Sequence, residues 1–102
     1  MAINEEVTKA YDTVVGALQC RDFLEQMAEE AAELAQAALK VIRALGLSEN
    51  FTPVSDEEAW AALREEFNDV LLIASVIGIS VDEEQYNAKL MRWADRLAGG
   101  EK

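Results

Sequence analysis

The chain has 102 residues, 51% of them hydrophobic and 28% charged, and carries a net charge of −11 from 20 acidic and 9 basic side chains. That is the composition of one globular domain and not of a disordered chain. Its acidity excludes unaided binding to nucleic acid polymers and anionic membranes, both of which reward basic patches.

Histidine is absent altogether, which removes Ser-His-Asp and Cys-His catalysis, His-ligated zinc and the Glu-x-x-His motif of ferritin-like bundles. Any catalysis must rest on carboxylates, Lys, Arg and a metal. The single Cys20 cannot form an internal disulfide, which predicts a reducing, cytoplasmic setting. The polar start, Met1 to Glu6, does not read as a signal peptide, and the most apolar run, Val70 to Ile79, is too short to span a bilayer. With one proline, five glycines and an abundance of Ala, Leu and Glu, the expected fold is all-α, a bundle of about four helices.

Asn4 is the expected N-cap of a first helix running to about residue 20, with Glu5 and Glu6 placed where the helix dipole favours negative charge. Gly16 interrupts it at a cost of roughly 1 kcal/mol relative to Ala, which points to a close approach of another helix or a ligand. Asp22 with Glu25 resembles a capping box opening a second helix, although one continuous helix through Arg21 fits as well. Leu24, Met27, Ala31, Leu34, Ala38, Val41 and Leu45 recur at helical spacing, and Gly46 is a natural stop. At 100° per residue Glu30 lies about 60° and Glu33 about 120° from the centre of that stripe, with Glu29 nearer the solvated side.

Residues 46–55 form the one clear loop, since Pro53 and its neighbours exclude helix. Ser55 and Glu58 then cap a third helix. Its stripe is Trp60, Leu63, Phe67, Val70, Leu71, Ala74 and Ile77, with Glu66, Asp69 and Ile73 on one flank. Beyond Asp69 this helix is apolar nearly all round, so its end is expected at a subunit interface. Gly78 stops it. Either Ser80 with Glu83 or Asp82 with Gln85 caps a fourth helix, whose inner face is Tyr86, Leu90, Trp93, Ala94 and Leu97. Lys89, Arg92 and Arg96 share one of its faces, followed by a frayed tail at 99–102.

Residues three apart on a helix point the same way. Glu30 with Glu33, and Glu66 with Asp69, are two such pairs, each beside an apolar stripe. Packed antiparallel, the two helices bring the pairs together, and four clustered carboxylates call for divalent cations. Lys89, Arg92 and Arg96, with Asn87 as an orienting amide, could clamp phosphates beside such a cage. Gly16 and Gln19, with Tyr11, could admit a nucleotide. Each signal has an ordinary counterpart: solvated glutamates, surface ion pairs, a helix contact.

Glu29-Glu30-x-x-Glu33 followed by Glu66-x-x-Asp69 resembles the EExxE…ExxD signature of the MazG-like, all-α nucleoside triphosphate pyrophosphohydrolases. The likeness extends to Gly16-x-x-Gln19 and to Leu39 to Leu45. It takes in Lys89 to Arg96 as well, and so covers nearly the whole chain as a single domain of the short phage and mobile-element type. The resemblance implies Mg²⁺, with Mn²⁺ as a substitute, held by Glu30, Glu33, Glu66 and Asp69 with Glu29 in support. It implies hydrolysis of a (deoxy)nucleoside triphosphate to the monophosphate and pyrophosphate, Lys89, Arg92 and Arg96 steadying the phosphates, and a homodimer or homotetramer. A phosphoribosyl-ATP pyrophosphatase shares similar acidic motifs, and a non-catalytic acidic helical interaction protein is the alternative of another class. Trp60, Phe51 and Tyr11 are candidates for the base pocket.

Overall fold

The computed structural model describes residues 4–17, 19–47 and 55–99, and all regular structure among them is helical. Four helices follow one another: α1 (Glu5–Ala17), α2 (Cys20–Ala44), α3 (Asp56–Ile77) and α4 (Glu83–Leu97). Among the described residues, no helix is long and apolar enough to cross a membrane.

Local chemistry sets most of the boundaries. The Val7 N–H donates to Asn4 Oδ1 at 2.9 Å, the Glu58 N–H to Ser55 Oγ at 3.1 Å and the Gln85 N–H to Asp82 Oδ1 at 2.9 Å, each satisfying an orphan donor of a first turn. Asp82, and not Ser80, is therefore the cap of α4. Gly46 and Gly78 stop α2 and α3 with left-handed backbone (φ 72° and 93°). Leu47 N–H then reaches Ile42 O and Ile79 N–H reaches Ala74 O, closing the last turns as Schellman motifs. The start of α2 differs from the sequence expectation. The helix α2 begins at Cys20 with Gln19 as its N-cap, and Asp22 sits in the first turn, where its carboxylate accepts the Gln19 N–H at 3.0 Å. Leu18 and residues 48–54, with Phe51 and Pro53, lie outside the described residues.

The helices α2 and α3 form an antiparallel hairpin. Val41 and Ala44 near the end of α2 meet Ala59 and Leu63 near the start of α3, while Glu30, further back, meets Glu66 and Asp69. The inward line on α2 is Phe23, Met27, Glu30 and Leu34, half-buried, and Ala37, Val41 and Ala44, buried, rotated by about 60° from the stripe chosen by side-chain size. On α3 the inward residues are Ala59, Leu63, Glu66, Val70 and Ile73, whereas Trp60 (53% exposed) and Phe67 (50%) face outward. Small residues win the seam because alanines at Ala37, Ala44 and Ala59 let two helix backbones approach closely. As a result Glu30 and Glu66 sit within the contact instead of on its border.

The first helix lies against α3, where the Tyr11 hydroxyl donates to the Ser75 carbonyl at 2.8 Å. The last helix, α4, packs against no other helix among the described residues.

Candidate functional site

Midway along the hairpin, one carboxylate oxygen from each of Glu30, Glu66 and Asp69 lies within 4.8 Å of the others. All three side chains are half-buried. Gln26, one turn before Glu30, donates from Nε2 to Glu30 Oε1 at 2.7 Å and so holds that carboxylate in place. The remaining oxygens, Glu30 Oε2 and Glu66 Oε2, are buried and have no hydrogen-bond partner. A carboxylate oxygen taken from water with nothing in return is costly. Hard oxygen donors in this state fit a divalent cation such as Mg²⁺.

The electrostatics agree with the geometry. Burial raises the Glu66 pKa above its ordinary 4.5, and the negative charges of Glu33 and Asp69 push it further. The nearness of the Glu33 side chain, which favours the protonated form of Glu66, and the charge of Glu30 complete the effect. Glu33 is itself exposed and is not one of the three converging carboxylates.

Two hollows adjoin the cluster. One, of about 420 Å³, lies under α1, walled by Val7, Tyr11 and Val14 and by Leu72 and Val76 of α3, with Glu30 and Asp69 at its edge. Its walls are almost wholly apolar. The other, of about 520 Å³, is bounded by Glu33 and Glu66 and by Gln36, Lys40 and Arg43. Gln26 is a site residue the sequence reading missed, although its i, i+4 spacing from Glu30 was a usable signal.

The other expected residues are not gathered here. Glu29 is exposed on the outer side of α2. Gln19 stands at the N-cap of α2, and a Cβ at Gly16 would meet nothing within 4 Å, so no close approach requires that glycine within one chain. Lys89, Arg92 and Arg96 line a separate hollow on α4 with Trp93 and Leu97, without any carboxylate, and Asn87 is exposed on the same helix. Tyr11 does line the apolar hollow, whereas Trp60 lines a different one with Leu34 and Phe67.

No protein-family model, curated protein or solved structure matches this chain.

Proposed function

We propose that this chain is a Mg²⁺-dependent, MazG-like pyrophosphohydrolase that cleaves a (deoxy)nucleoside triphosphate to the monophosphate and pyrophosphate in the cytoplasm, with Mn²⁺ able to replace Mg²⁺. The observation that carries the reading is the convergence of Glu30, Glu66 and Asp69 with two buried, partnerless oxygens. When bound, divalent cations supply the acidity that activates water and neutralise charge on the phosphates. Glu30, Glu66 and Asp69 would hold them, Gln26 orients Glu30, and Glu33 borders the same hollow as Glu66. The apolar hollow under α1 excludes water beside the cluster and takes the nucleoside. Lys89, Arg92 and Arg96, with Asn87, act on phosphates where α4 of one copy meets the cluster of another.

Pyrophosphate release across a panel of canonical and modified nucleoside triphosphates, with phosphoribosyl-ATP included, tests this directly. Turnover is expected with Mg²⁺ or Mn²⁺ and loss of at least about a hundredfold in Glu66→Gln, which removes a metal ligand. A panel on which nothing is hydrolysed with either cation would sink the enzymatic reading. The uncovered face of α4 favours one other reading, a non-catalytic helical interaction protein. In that case divalent cations would act only as weak, salt-screened counterions.

A further inference from the structure

The two hollows share no lining residue, but both border the acidic cluster and line up end to end as a trough along the hairpin. On α2 their walls follow Gln26, Glu30, Glu33, Ala37 and Lys40, spaced four and three residues apart, which is a single stripe along the helix. On α3 they follow Ala62, Glu66, Asp69, Ile73 and Val76, with the same spacing. Because the helices are antiparallel, these stripes face each other along their whole length. The trough thus runs from an apolar end under α1, across the carboxylates, to an end furnished with Lys40, Arg43 and the Gln36 amide.

The basic end is distinctive in a chain with 20 acidic and only 9 basic residues. Among the described residues, the one ion pair is Arg21 with Glu25, so neither Lys40 nor Arg43 is engaged by a carboxylate there. They are three residues apart and therefore neighbours on the helix surface. Arg43 also stands in the last turn of α2, where a cation complements the helix dipole. That accounts for Arg43 but not for Lys40, nor for both bordering the same hollow as Glu33 and Glu66. Lys40 lies about 10 Å along the axis from Glu33, a gap that its long side chain shortens.

We infer that Lys40 and Arg43, with Gln36, form an anion subsite for the terminal phosphates, so that the substrate lies along the trough with its nucleoside under α1. The inference rests on the pyrophosphohydrolase reading, and it gives that reading a direction. The leaving pyrophosphate is held by the chain's own α2, by an Arg fork and a Lys point charge. Lys40 and Arg43 would neutralise the end of the phosphate chain, beyond the carboxylates that would hold a cation.

The test is calorimetric binding of inorganic tripolyphosphate to the full chain in Mg²⁺. Lys40→Ala/Arg43→Ala is expected to weaken binding about tenfold or more and to flatten its salt dependence. Lys9→Ala/Arg64→Ala removes the same charge away from the trough and is expected to change affinity less than about twofold. Lys40 is exposed, so Lys40→Ala alone provides a variant whose folding is not at issue. Equal losses in the two double variants, no loss in Lys40→Ala/Arg43→Ala, or no tripolyphosphate binding by the wild type would each overturn the subsite. Turnover that persists while tripolyphosphate affinity ignores Lys40 and Arg43 removes the subsite and leaves the activity standing. Binding that depends on both residues, with no nucleotide hydrolysed, removes the activity alone.

Discussion

The carboxyl of Glu66 is held among three others, and its protonation governs what the cluster costs the fold. Because burial and the charges of Glu33, Asp69 and Glu30 raise its pKa in the folded chain, the folded state binds a proton more tightly than the unfolded chain, whose ordinary value is 4.5. Without divalent cations, this group's contribution is therefore most favourable below that value and is lost as pH rises through the folded pKa. On the proposed reading, divalent cations bind the ionised form and reverse the penalty near neutrality. Thermal unfolding in a chelator should show wild-type Tm falling relative to Glu66→Gln as pH goes from acid to neutral. Adding Mg²⁺ should raise the wild-type midpoint at neutral pH and leave that of Glu66→Gln unmoved. A difference between the two proteins that does not vary with pH would contradict the cluster as described. The sequence made this neighbourhood readable through the i, i+3 pairs. It could not rank their members, because the rank depends on which carboxylates the hairpin register opposes: Glu30 with Glu66 and Asp69, and Glu33 with Glu66 alone.

Among the elements, the caps were readable and the buried faces were not. Asn4, Ser55 and Gly78 each act within one turn of their own position, so their neighbours in sequence determine what they do. The faces of α2 and α3 depend on a partner. Judged by size, Leu24, Trp60 and Phe67 look like the core, but the seam is made where Ala37, Ala44 and Ala59 let the backbones close, leaving Trp60 and Phe67 half exposed. The attachment of α1 was likewise invisible, since it depends on Tyr11 reaching a carbonyl 64 residues away at the end of α3. No residue of α1 is fully buried, so that bond is a large part of what fixes the helix over the apolar hollow. Tyr11→Phe keeps the ring and removes the donor, at a cost of about 1 kcal/mol. Hydrogen exchange is the measurement. Amides of α1 should exchange several-fold faster in Tyr11→Phe while those of α2 and α3 keep their protection. Faster exchange spread evenly over all three helices would mean that α1 is not an independently opening unit.

At the scale of the molecule, α4 is the element a single chain leaves unexplained. The radius of gyration is 17.6 Å, against about 13 Å for a compact domain of 100 residues, and α4 contributes to the excess by touching no other helix among the described residues. Tyr86, Leu90, Trp93 and Leu97 form a stripe along it, and each is at least half exposed. A helix of 15 residues is marginal in water without tertiary support, so its apolar face requires a cover. The proposed association would cover it with a second copy. That copy offers Trp60, Phe67 and Leu71 as uncovered apolar groups, and its acidic surface attracts Lys89, Arg92 and Arg96. Light scattering at micromolar concentration should therefore give a multiple of 11.3 kDa. Trp93→Glu, which puts a charge into the stripe, should shift the mass toward the monomer and reduce helicity by roughly the share that α4 contributes. The mass and the helicity must fall together, because the same contact maintains both. A wild-type monomer with α4 fully helical would sink the association, and it would leave Lys40 and Arg43 as the cations placed to meet a phosphate at the cluster.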